Sequence, residues 1–146
     1  MLYLSLKTLH LIAAAFFVGG VFFEVMILSR ATQALDEGPR QQLSKALGQR
    51  ARSVMHWVVL ALYGAGISLA WQYRALLRDP LASSFATLLS LKILLAVSIL
   101  GHFIGVVYLL RSGRMTPSRS RAIHLSVLVQ MLLILLLAKS MFVLSW

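Results

Sequence analysis

The stretch Phe85-Ala86-Thr87-Leu88-Leu89-Ser90-Leu91-Lys92-Ile93-Leu94-Leu95-Ala96-Val97-Ser98-Ile99-Leu100-Gly101-His102-Phe103-Ile104-Gly105-Val106-Val107-Tyr108-Leu109-Leu110 decides the fold. Lys92 is its one fully charged side chain. Crossing a hydrocarbon core about 30 Å thick takes roughly 20 mostly apolar residues in helix, because backbone groups in lipid must satisfy their own hydrogen bonds. This run is long enough to do so. Working outward, Leu4 to Leu28, Val54 to Tyr73 and Ile123 to Leu144 have the same character. The four together predict an all-α protein, a four-transmembrane-helix bundle in which residues 1–146 form a single domain.

Composition agrees. Of the 146 residues 60% are hydrophobic, and the mean hydropathy is +0.85, above what a soluble globule carries. The first apolar stretch is interrupted by Lys7, His10 and Glu24, and it is longer than the apolar core of a cleaved signal peptide. It is therefore expected to stay as a span.

The links are short and polar. Asp36-Glu37-Gly38-Pro39 reads as a turn cluster, and Gln41 to Arg50 is expected to form a short surface helix of its own. Asp79-Pro80 marks the second link. The third holds Gly113 and Pro117, with Ser118 or Ser120 as the expected cap of the last helix.

The formal net charge of +10 is concentrated in these links, so the expected partners are anionic lipid headgroups and no nucleic acid. Arg30, Arg40, Lys45, Arg50 and Arg52 flank or fill the first link, and Arg111, Arg114, Arg119 and Arg121 the third, whereas the second has only Arg74 and Arg78. By the positive-inside bias both termini are expected on the periplasmic side of a bacterial inner membrane.

Four histidines, His10, His56, His102 and His124, lie one to each span or at its entry, and the chain has no cysteine. Disulfides and thiolate ligands are excluded, which leaves imidazole, carboxylate, thioether or amine for any metal. At about 1.5 Å per residue, His10, Lys92 and Lys139 fall in a layer toward the outer face, and Glu24, His56, His102 and His124 toward the cytoplasm. His56, His124 and Lys139 sit near span ends, where interfacial anchoring accounts for them equally well. Lys7 is better explained as an interfacial group. His10, Lys92 and His102 lie deeper, where an ionisable group costs about 2.5–3.5 kcal/mol on insertion scales and is usually kept for pairing, relay or ligation.

Gly19-Gly20, Gly64 with Gly66, and Gly101 with Gly105 predict faces where helices approach closely. Because His102 directly follows Gly101, a flat ring such as a porphyrin could lie against bare backbone there. Trp71, Tyr73 and Trp146 fit an outer aromatic belt.

Several of these residues fall in short motifs. Leu6-Lys7-Thr8-Leu9-His10-Leu11-Ile12-Ala13 and Leu91-Lys92-Ile93-Leu94-Leu95 followed by His102 resemble the HemJ and CopD-like membrane proteins, as do Arg50-Ala51-Arg52-Ser53-Val54 leading into Gly64 and Gly66, and Lys139 near the chain end. HemJ proteins are haem-b-containing protoporphyrinogen oxidases, so the resemblance implies essential positions for His10 and Lys92. CopD-like relatives are associated with copper uptake. The chain departs from the HemJ pattern at Glu24-Val25-Met26-Ile27 and at Ile123-His124-Leu125, and these departures bear on the porphyrinogen substrate more than on the haem.

A haem in a helical bundle needs an axial imidazole, an apolar slot and cations for its propionates. By family position His10 leads as axial ligand and His102 follows, with His56 and His124 as alternative ligands. Lys92 or Lys139 is placed to meet propionates or an anionic substrate. The expected activity is oxidation of a porphyrinogen with electrons passed to quinone. Copper or another divalent ion is the alternative cargo, held by His56, His102 and His124 with Glu24 and Met26. The glycine faces leave homo-oligomerisation open.

Overall fold

The computed structural model describes residues 1–144 and is all-helical among them. Trp146, expected in the outer aromatic belt, lies outside the described residues. Four helices are long and apolar enough to cross a membrane. We label them α1 (Leu2–Phe23), α2 (Glu37–Gln72), α3 (Ser84–Arg111) and α4 (Pro117–Ser140). The chain forms two compact units, Met1–Gln72 and Tyr73–Trp146, each considered by itself.

In the first unit α1 continues through a π-helical turn at Glu24–Leu28, one α-helical turn at Ser29–Ala31 and a 3₁₀ turn at Thr32–Ala34. Ser29 Oγ donates to the Val25 carbonyl at 2.6 Å and Thr32 Oγ1 to that of Leu28 at 2.9 Å, so side chains take up carbonyls where the helix changes pitch. The expected separate surface helix at Gln41–Arg50 is absent as such. Those residues belong to α2, a single helix of 36 residues. The cause is compositional: Gln41 to Ala51 is rich in good helix formers with Gly48 as its one weak point, and Pro39 falls in the first turn, where its missing N–H breaks no bond.

Along α1, Ala13, Phe17 and Val21 are buried, a stripe of residues four apart on one face. Val59 and Ala65 are buried on α2. Gly20 faces the Met55 methyl so closely that a Cβ there would overlap it. Such approach of small residues lets dispersion contacts hold two helices together where lipid removes the usual hydrophobic drive.

In the second unit α3 and α4 form an antiparallel hairpin. The φ of Gly113 is +65°, a conformation that Cβ-bearing residues avoid. Arg114 N–H donates to the Leu109 carbonyl at 3.0 Å and Gly113 N–H to that of Leu110 at 3.3 Å, the paired bonds of a Schellman cap. Two residues on, Thr116 accepts from Arg119 N–H at 3.3 Å and Pro117 opens α4. The cap is therefore Thr116 rather than Ser118 or Ser120, and α4 starts six residues before the expected Ile123. A Thr-Pro pair explains the shift, since Thr accepts at the N-cap and Pro is preset for the first helical position. Gly113→Ala is expected to destabilise the hairpin by about 1–2 kcal/mol, read as a lower midpoint in denaturation by SDS from mild detergent.

The far end of this hairpin is closed too. Ser83 caps α3 by accepting from Ala86 N–H at 3.2 Å. Ser84 Oγ donates to the Leu144 carbonyl at 3.1 Å, and Phe85 lies edge-on to Phe142 with centroids 6.4 Å apart. Ala86 is fully buried and Met131 is 3% exposed.

Candidate functional site

The imidazoles are set up by backbone carbonyls. His10, half-buried on α1, has Nδ1 3.0 Å from the Leu62 carbonyl of α2. A carbonyl oxygen only accepts, so Nδ1 carries the proton, and in the neutral ring Nε2 is the acceptor nitrogen. Glycine at 66 makes room for this ring. A Cβ there would sit 3.1 Å from His10 Cε1 and 3.3 Å from Nδ1. The ring therefore packs tightly against position 66, and the close approach expected of Gly66 serves an imidazole.

His102 lies half-buried on α3. Its Nδ1 donates to the Ser98 carbonyl one turn earlier at 2.8 Å, which again makes Nε2 the acceptor. Ser126 Oγ of α4 is 3.3 Å from that Nε2, and Gln130 Nε2 donates to Ser126 Oγ at 3.1 Å. The donors run in one direction: Gln130 N–H to Ser126, Ser126 O–H to His102 Nε2, His102 Nδ1–H to Ser98. Gln130 Oε1, at the end of the chain, is buried and has no hydrogen-bond partner among the described residues. Neither Ser126 nor Gln130 stood out in the sequence. Their signal was present: two polar residues four apart in an otherwise apolar span share a face.

His102 also lines a shallow, largely open surface depression of about 460 Å³ with Ser98, Gly101, Gly105, Leu109 and Ile123. A Cβ at Gly101 or Gly105 would meet nothing within 4 Å among the described residues. These two glycines were expected to bring helices together, yet within the described residues they form a bare floor. Leu109 and Ile123 supply apolar walls, and the His102 imidazole is the one titratable side chain in the lining.

The remaining candidates are placed as follows. His124 donates from Nδ1 to the Ser120 carbonyl on its own helix at 2.7 Å. His56 is exposed, its ring edge-on to neighbouring Trp57 with centroids 6.0 Å apart. Lys92 is half-buried on α3, and Lys139 is exposed in the last turn of α4. Lys7 lies with Nζ 5.1 Å from the centroid of the Tyr3 ring, a cation–π contact suited to an interfacial lysine. Glu24 and Met26 belong to the π-helical turn and are both exposed.

His10 and His56 belong to the first unit, and Lys92, His102, His124 and Lys139 to the second. Within neither unit do three His, Cys, Asp or Glu side chains gather among the described residues. A porphyrin supplies four of the iron's ligands itself and asks the protein for one or two.

No family model, curated protein or solved structure matches the chain.

Proposed function

We propose that this is a multi-pass membrane protein that binds haem b and acts in redox chemistry, a role like that of the HemJ-type porphyrinogen oxidases its motifs resemble. One observation carries the proposal. His102 stands in the wall of a glycine-floored depression with its Nδ1–H held by the Ser98 carbonyl. Ligating histidines characteristically donate their second ring nitrogen to a carbonyl or carboxylate, which fixes the tautomer and aims Nε2 at the metal.

The lining meets two of the three requirements of a haem site and holds no cation for its propionates. The uncovered Gly101 and Gly105 leave space that side chains would fill, and the donor is an imidazole. His102 would hold the haem iron through its imidazole, with Leu109 and Ile123 as apolar contacts. When bound, haem supplies one-electron chemistry at a potential set by its axial ligand and surroundings. The protein's own residues orient the ring and keep the slot apolar. Lys92, which the resemblance makes essential as it does His10, would serve as a cation for an anionic group. A bacterial inner-membrane location with both termini on the periplasmic side follows from the charge bias of the links.

Reduced-minus-oxidised spectra of the detergent-purified protein, after haem-replete expression, test the proposal. A b-type band is expected in the wild type, lost in His102→Ala. Absence of the band from the wild type overturns it. Loss with His10→Ala combined with retention in His102→Ala would move the ligand to α1.

A further inference from the structure

α2 carries a stripe of residues outside its contact with α1. Arg40, Leu43, Leu47 and Arg50 follow one another at intervals of three, four and three residues, a spacing that keeps them on one side of an unbroken helix. Both arginines are exposed, and each leucine is 38% exposed. α2 meets α1 through Met55, which faces Gly20, and through Leu62 and Gly66, which hold the His10 ring. At about 3.6 residues per turn, that side lies about a quarter-turn round the helix from the stripe. α1 therefore leaves the stripe open.

We propose that Arg40, Leu43, Leu47 and Arg50 form a docking ridge for an acidic amphipathic helix of a partner protein, in the aqueous compartment beyond the span. Two leucines offer an apolar seam, and the arginine at each end calls for a carboxylate opposite it. Residues 37–53 hold Arg40, Lys45, Arg50 and Arg52 against Glu37 alone, so an acidic partner is also drawn in at long range. The ridge is independent of the haem reading.

Other occupants use only part of it. With α2 crossing the membrane, Arg40 stands about 15 Å beyond Arg50 along the axis, so a headgroup layer that meets Arg50 does not reach Arg40. A second copy in the same membrane points its α2 the same way and would set Arg40 against Arg40 and Arg50 against Arg50. Like charges at these seam positions oppose self-pairing. Nucleic acid would engage the arginines through phosphate and leave both leucines uncovered. A helix with its own apolar ridge and carboxylates beside it uses all four residues.

The full-length protein is reconstituted in phosphatidylcholine nanodiscs and titrated with a dye-labelled synthetic helix whose leucine ridge is flanked by glutamates, with binding read by anisotropy. Wild type is expected to bind it and to ignore a twin carrying lysine in place of each glutamate. Arg40→Glu with Arg50→Glu should reverse that preference. Arg40→Gln with Arg50→Gln should weaken binding about three- to tenfold, the size of two exposed ion pairs, and Leu43→Gln with Leu47→Gln about tenfold or more. Lys45→Gln with Arg52→Gln removes the same charge from the far side of the helix and is expected to leave the affinity unchanged. Equal losses from the two neutralised pairs would reduce the effect to net charge and overturn the ridge, as would failure of the wild type to bind. The chain has no cysteine, so a nitroxide on Ala46→Cys, beside the leucines, reports what covers the stripe. It should stay open to a water-soluble relaxant in phosphatidylglycerol nanodiscs and become shielded when the acidic helix is added. Shielding by the anionic lipid alone assigns the stripe to the bilayer and overturns the proposal.

Discussion

A protein with leucine at both Gly101 and Gly105 is expected to fold and insert as the wild type does and to take up no haem. The prediction separates packing from binding because the two roles require opposite things of these glycines. If they served close helix contact inside the hairpin, a larger side chain would collide with α4 and overpacking would cost about 1–3 kcal/mol. A Cβ at either position instead meets nothing within 4 Å among the described residues, so the added atoms enter the depression. Leucine is also the better helix former, by about 0.8–1.0 kcal/mol for each glycine relieved. The expected result is an unchanged or raised denaturation midpoint together with loss of the b-type band. A retained band would remove the depression from consideration, and a collapsed midpoint would return the glycines to a packing role.

The second large effect is expected at the other imidazole. Gly66→Leu should displace the His10 ring from the Leu62 carbonyl and weaken the α1–α2 pair by about 1–3 kcal/mol. Even the first carbon of a side chain would lie 3.1 Å from His10 Cε1, and the ring is held by a 3.0 Å bond to the facing helix. Alanine at 66 needs only a shift of a few tenths of an ångström, so the series Gly66→Ala, Gly66→Leu should show graded loss. His10→Ala in the Gly66→Leu background should restore part of the stability by vacating the space. SDS denaturation midpoints check the energies, and the His10 nitrogen resonances report the displacement directly. If Gly66→Leu left those resonances unmoved, the notch at Gly66 would have no part in placing the ring.

The spans were legible because their cause is local. Runs such as Phe85 to Leu110 carry nearly all their information in apolar content, and the structure places helices over all of them. Ends were less legible where local cues competed. Gly38-Pro39 suggested a break, yet Pro39 sits within the first turn of α2, and the good helix formers after it let the helix run on to Gln72. At α4 the serines at 118 and 120 drew attention from Thr116-Pro117, the stronger start signal.

The histidines were visible as residue types, but their settings were not. That His10 rests on Leu62 in a notch at Gly66, or that His102 meets Ser126, follows from the register between two helices, to which periodicity within one helix is blind. Conversely, the glycines read as one class from the sequence divide in two: Gly20 and Gly66 meet a neighbour, whereas among the described residues Gly19, Gly64, Gly101 and Gly105 do not.

The length of α2 changes what its charges can do. Val54–Gln72, at about 1.5 Å per residue, is already long enough for a core about 30 Å thick, so the preceding part of this 36-residue rod stands clear of the lipid. Arg50 and Arg52 are expected at the headgroups. Arg40, twelve positions before Arg52 in an unbroken helix, lies roughly 18 Å farther along the axis, beyond the Debye length of about 8 Å at physiological salt. With the helix crossing the membrane, its guanidinium is expected to be screened from the phospholipid charge, leaving that end of the rod to the aqueous compartment.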